Sequence, residues 1–188
     1  MWAGLFMQPG PLTFTIMDFD KIENVFRSIA DGIEEECIKC MEQNTETVAD
    51  CVKEQLYSGV DGNDDYLNPT YDNDPFFNED GVWKGRAEAY KKWKEKITPP
   101  IASNMLNLPP RPYEVPNLFI TGTFHDSIKA FRNGDVLTIT TSGFRDGPII
   151  ERKYGNQIFS LGENAKEYFN LFHLRPWLEQ FFEECGYK

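Results

Sequence analysis

Apolar residues recur at three- and four-residue steps from Ile22 through Val25, Phe26, Ile29, Ile33, Cys37, Cys40, Met41 and Val48 to Val52. That spacing lines one face of a helix reaching Leu56 or Tyr57. Asp20, with Glu23 three residues on, forms a capping box that predicts its start. Unbroken, such a helix measures about 55 Å, longer than a compact domain of this size needs. Gly32 and Asn44-Thr45 are the weak points where it is expected to bend. Glu34, Glu35, Glu42, Glu46 and Glu54 make the opposite face acidic. The apolar positions hold no strict heptad, so a coiled coil ranks below a packed helix. Ser58-Gly59 predicts the end.

The stretch from 58 to about 82 is rich in Gly, Asn, Asp and Pro and carries Tyr66, Tyr71, Phe76 and Phe77. Long loops of this kind tend to be functional, and the aromatics point to docking rather than free disorder. A second helix is expected over Lys84 to Ile97, with Ala87, Tyr90, Trp93 and Ile97 on its apolar side and Arg86, Lys91, Lys92, Lys94 and Lys96 as a basic cluster. Pro99-Pro100 stops it. Pro109, Pro110, Pro112 and Pro116 then predict an extended connector.

Asn117 to Gly155 reads as compact β scaffolding. Leu118 to Ile120 is expected to be a short buried strand or a lead-in to one. Ser127 to Arg132 and Val136 to Thr141 are expected as a hairpin turning at Asn133-Gly134-Asp135, since Asn-Gly tolerates positive φ at both central positions. Ile149 to Tyr154 reads as a helical turn ended by Gly155, and Gln157-Ile158-Phe159 as a third short strand. Helices follow over Asn164 to Phe172 and from Pro176, which suits a first turn, with Trp177, Leu178, Phe181 and Phe182 facing inward. The expected class is α+β: a long N-terminal helix, a small antiparallel sheet with a hairpin, and C-terminal helices packed on the sheet. Residues 1–17 are expected to form an extended hydrophobic arm, and residues 18–188 a single α+β domain with an acidic loop insertion at about 58–82.

Composition narrows the function. The chain has 188 residues, 40% of them hydrophobic and 14% aromatic, which are globular values. A net charge of -11 argues against duplex binding and against docking on anionic lipid. It is compatible with lining a channel through which DNA slides. No apolar run approaches the roughly 20 residues of a membrane span. The first seventeen residues are uncharged. They lack a basic n-region, and Pro9-Gly10-Pro11 interrupts any apolar helix, so an arm is expected there rather than a signal peptide. Trp2, Leu5, Phe6, Leu12, Phe14 and Ile16 then need a partner surface, on their own domain or on a neighbour.

Motifs for chemistry are scarce. Cys37 and Cys40 form a C-x-x-C inside the long helix, while Cys51 and Cys185 are not closely paired and neither His125 nor His173 is near, so buried thiols are expected instead of a zinc site. Asp61, Asn63 and Asp65 begin like a calcium loop, but Tyr66 and Asp72 stand where Gly and Glu are required. Two histidines are too few for a convincing triad, and no phosphate-loop, dinucleotide, zinc-protease or serine-hydrolase motif is present. No catalytic, cofactor-binding or metal-ligating residue is assigned. Candidate intersubunit contacts are Trp2, Leu5 and Phe6 in the arm, Tyr66, Tyr71, Phe76 and Phe77 in the loop, and Arg86, Lys91, Lys92 and Lys94 on the second helix. The basic cluster reads as a solvated face balancing nearby acids, with contact to an acidic surface such as a neighbour's first helix second, and phosphate contact third.

The order of elements, together with Asn117-Leu118-Phe119-Ile120-Thr121-Gly122, Asp126-Ser127-Ile128, Lys153-Tyr154-Gly155 and Arg175-Pro176-Trp177-Leu178, resembles the tail-completion or neck (head–tail connector) proteins of tailed double-stranded-DNA bacteriophages. Gln55-Leu56-Tyr57-Ser58-Gly59 is similar to members from phages of gut Bacteroidetes, the crAss-like phages. By element order the likeness covers the chain after the arm, and by motif about half of it. It implies a virion protein, assembled in the host cytoplasm, that forms a homo-oligomeric ring. Such a ring joins portal or adaptor proteins to the tail, and DNA passes through its lumen without sequence-specific binding. It implies no cofactor, no catalytic residue and no membrane. The arm, the long acidic loop and the length depart from simpler members. The alternative is a non-catalytic protein-binding module acting as monomer or dimer, and a third class is a hydrolase whose site is assembled by folding.

Overall fold

The long apolar stripe folds as two helices, α1 (Phe19–Gln43) and α2 (Thr45–Tyr57), parted at Asn44. This is a computed structural model, and it describes residues 19–134 and 136–187. The expected arm, with Trp2, Leu5 and Phe6, lies outside the described residues. Asn44 ties the junction together. Its side-chain amide donates to the Cys40 carbonyl at 2.8 Å, its side-chain oxygen meets His173 Nδ1 at 2.9 Å, and its own carbonyl accepts from the Val48 N–H at 3.0 Å. The helical ladder therefore resumes within a turn. Gly32 supplies space for a neighbour: a Cβ there would come within 2.8 Å of the Phe181 ring. Asp20 lies inside α1, one residue past Phe19, so the expected cap is corrected to an interior position.

A second helical rod runs alongside. It comprises α6 (Glu163–Phe169), a wide π turn over Asn170–Leu174, and α7 (Arg175–Glu184). Pro176 has no N–H to return, and the Arg175 N–H reaches back five residues to the Asn170 carbonyl, which widens the turn. The rods are antiparallel: Gly186 adjoins Val25 near the start of α1, while Gln55 in α2 donates to the Ser160 carbonyl at 3.1 Å and accepts from the Gly162 N–H at 2.9 Å. Trp177 and Phe181 are half-buried against α1, so α7 seals its partner without itself entering the core.

The hairpin forms as expected, β1 (Ile128–Asn133) pairing with β2 (Val136–Thr141) from Ile128↔Thr141 to Asn133↔Val136. Two strands alone are marginal in water. These are held by Ile128, which is fully buried among Val52, Leu56 and Ile158, and by Ala130, Leu137 and Ile139 packing against the buried cluster of Cys40, Val48 and Phe169. The rest of the expected β scaffolding is helical or turned. Leu118 to Ile120 is no strand, because Leu118 has φ 52 and Ile120 is 55% exposed. The chain then enters the short α4 (Thr123–Ser127) through Gly122 at φ 88. Gln157 to Phe159 belongs to a 3₁₀ turn (Asn156–Phe159), whose Ile158 fills the core without a strand partner. Between these, α5 (Gly147–Tyr154) ends at Gly155, as expected.

The second helix, α3, spans Ala87–Ile97 and starts later than expected, since Gly85 takes φ 66. The loop before it is part of the core: Leu67, Tyr71 and Phe77 are buried there. Asp61 accepts the backbone N–H groups of Asn63 and Asp65 at 2.8 and 3.2 Å, so its carboxylate closes its own turn. No group of three or more His, Cys, Asp or Glu among the described residues is placed to hold a metal ion. All four cysteines are free; Cys40 and Cys51 are buried, Cys37 and Cys185 half-buried. No helix among the described residues is long and apolar enough to cross a membrane.

Candidate functional site

On α3, Tyr90 and Lys94 lie one turn apart and point the same way. Lys94 is only 2% exposed. Its Nζ donates to Asn117 Oδ1 at 2.8 Å and to the Phe119 carbonyl. Both acceptors are neutral. Burial, reinforced by repulsion from Arg111, lowers the amine to about 7, far below an ordinary lysine. Asn117, itself fully buried, organises this corner: its side-chain oxygen also accepts from the Phe119 N–H at 3.2 Å. Its carbonyl takes a hydrogen bond from His125 Nε2 at 3.0 Å, which assigns the ring proton to that nitrogen. Burial lowers His125 to about 4, so it is a neutral packing residue, set edge-on to Phe119 with ring centroids 5.1 Å apart.

Lys94 lines a cavity of about 310 Å³ between α3, the 3₁₀ turn Pro75–Asn78, residues 116–120 and α5. Its inner lining is aromatic, with Tyr71, Phe77, Tyr90 and Tyr154 joined by Phe119. Tyr71 and Phe77 pack on Tyr90 with ring centroids 5.2 and 5.4 Å away. Burial raises the phenol of Tyr90 to about 12 and those of Tyr71 and Tyr154 further, so all three stay neutral at physiological pH. Three apolar lining residues are exposed: Phe76 (42%), Ile120 (55%) and Ile149 (62%). Asp74 is occupied twice, capping the 3₁₀ turn through the Phe76 N–H at 2.9 Å and pairing with Lys153. An amine near neutrality beside apolar walls has the character of a nucleophile. Here both of its contacts are spent on structural oxygens, and the neighbouring carboxylate is locked in an ion pair. What the cavity offers is mainly aromatic and aliphatic surface.

Of the residues singled out in the sequence, Tyr71, Phe76, Phe77 and Lys94 come together in this cavity. Tyr71, Phe77 and Lys94 are buried, which corrects their reading as surface contacts. Lys91 is corrected likewise: it is 8% exposed and bonded to Asp72 at 2.6 Å and Glu88 at 2.9 Å. The solvated basic face is thus partly inverted, with two of its lysines turned inward and Ile97 left 40% exposed. Arg86 and Lys92 are exposed, the latter 3.8 Å from Glu88, and Tyr66 is exposed beside its bridge to Val60. Sequence reasoning did not place Ile120, Ile149, Ile150, Lys153 or Tyr154 at any site. The only signal was that 117–122 and 153–155 stood out as motifs, with nothing to show that both border one cavity.

Comparison of the chain with protein-family models, curated proteins and solved structures returns no match.

Proposed function

We propose that this chain is a structural subunit of an oligomeric ring, working in the head–tail connector or tail of a tailed bacteriophage, around the DNA channel. One observation carries the assembly reading: two unlike apolar patches stand at opposite ends of the helical rods. At the start of α1, Phe19 and Phe26 are exposed, with Phe26 6.4 Å from the equally exposed Tyr187. Beyond the end of α2, where Tyr57 packs edge-on against Phe119, Phe76, Ile120 and Ile149 border the aromatic cavity. A ring joined head to tail needs dissimilar complementary faces on each subunit. Clustered aromatic anchors supply affinity where isolated surface ion pairs contribute little. The placement in a phage connector rests on the resemblance of the 117–122, 126–128, 153–155 and 175–178 motifs.

The test is purification of the full chain, followed by light scattering and negative-stain imaging, alone and with a portal-side partner. Annular oligomers in either condition are expected. Compact monomers in both would reject the ring.

A further inference from the structure

The aromatic cavity has on its wall a buried amine whose hydrogen-bond partners carry no charge. Lys94, 2% exposed, donates to Asn117 Oδ1 at 2.8 Å and to the carbonyl of Phe119, another residue of the wall. We infer that this cavity binds a small aromatic carboxylate, its ring among Tyr71, Phe77, Tyr90 and Tyr154 and its carboxylate on the Lys94 amine. The site uses the inner wall, so it is independent of the assembly reading, which rests on the exposed rim.

Charge selects the ligand's sign. Arg111, 4% exposed and bonded to the Val115 and Thr98 carbonyls at 2.8 and 3.0 Å, repels Lys94 from one side. Tyr71, Tyr90, Tyr154 and His125 are kept neutral by burial. Among the described residues the wall carries one carboxylate, Asp74, and Lys153 pairs with it. A ligand cation would meet only repulsion at Lys94. A ligand carboxylate supplies the opposite charge that makes a buried ammonium tolerable, and is itself desolvated against a partner.

Hydrogen bonding selects the acid over other groups that react with or bind amines. An ammonium has three N–H donors, and two are spent on Asn117 and Phe119. The third is left for a carboxylate oxygen, so the acid binds without disturbing residues 117–119. Condensation with an aldehyde would instead leave the nitrogen at most one hydrogen and break at least one of those bonds. Size selects the body. A volume of about 310 Å³ lies at the lower end of small-molecule sites, which suits one ring and a short acid. Tyr71 and Phe77 already pack on Tyr90 at 5.2 and 5.4 Å between centroids, so the aromatic wall is pre-formed.

The experiment titrates phenylacetate into the full chain by isothermal calorimetry at pH 6 and pH 8, with phenylacetamide as the uncharged match. The free amine is protonated below about 7, so the acid binds best there, and its Kd should rise about tenfold from pH 6 to pH 8. The amide should bind about tenfold or more weakly than the acid at pH 6 and show no such pH dependence. Lys94→Met, checked for folding by circular dichroism, should weaken the acid about tenfold or more. A second measurement needs no variant: with ¹³C-labelled lysine, the Lys94 Cε resonance should titrate at least about one pH unit higher in saturating phenylacetate than without it. Absence of saturable binding at millimolar phenylacetate overturns the inference. So does an affinity for the acid that ignores pH, the amide substitution or Lys94→Met, and so does a Lys94 midpoint that the ligand leaves in place.

Discussion

Replacing Lys94 by methionine tests the description of the cavity at its most unusual point. The side chain keeps an unbranched apolar stem as far as Cε but loses its amine. In the folded protein that amine titrates near 7, because it is buried and offered only neutral oxygens. In the unfolded chain it returns to 10.5. Between those values the unfolded state binds a proton that the folded state does not, so stability falls as pH drops from 10.5 towards 7 and is insensitive to this group below 7. At about 1.4 kcal/mol per pH unit, the interval sums to about 5 kcal/mol. The substitution removes that dependence, at a cost of about 1–3 kcal/mol for the donor lost to the Phe119 carbonyl; Asn117 Oδ1 retains the Phe119 N–H. Urea unfolding followed by circular dichroism, repeated from pH 6 to 10 on both proteins, gives the difference in stability directly. Lys94→Met should be the more stable protein at pH 7. Its advantage should shrink by about 4 kcal/mol by pH 10, where the order reverses. Tyrosine and cysteine ionisations occur in both proteins and cancel. Parallel stability curves would refute the claim that Lys94 sits uncompensated in an apolar corner.

Three further outcomes follow from the packing. His125, held near 4 by burial, should cost the native protein about 3 kcal/mol of stability as pH falls from 6.5 to 4, and His125→Phe should abolish that component of acid unfolding. Leu56→Ala removes a fully buried side chain from among Val52, Ile128 and Ile158 and should lower stability by about 3–4 kcal/mol in urea titrations, with the spectrum of the remaining folded protein unchanged. Gly122→Ala places a Cβ at φ 88 and within 3.2 Å of Phe119, so a loss of about 1–2 kcal/mol is expected from the thermal midpoint; no loss would mean that the turn into α4 does not need its left-handed residue.

The sequence by itself determined what depends on neighbours a few residues away. The three- and four-residue apolar steps set α1 and α2, Asn44 marked their break while Gly32, the other expected weak point, stays inside α1, Asn133-Gly134 set the hairpin, and Pro99 and Gly155 ended helices, because backbone dihedral preferences and one-sided burial act over single turns. The same local logic misread Leu118 to Ile120 and Gln157 to Phe159, where three apolar residues are too few to distinguish a strand from a buried turn. It also assigned the α3 lysines to solvent, which is where an isolated basic helix would put them. Only the tertiary structure brought Asp72 to Lys91 and the Asn117–Phe119 corner to Lys94, making inward positions tolerable for groups that water would otherwise claim. The cavity belongs wholly to that second level. Its walls come from residues 71–77, 90–94, 116–120 and 149–154, and no periodicity within any one of these segments encodes its distance from the others.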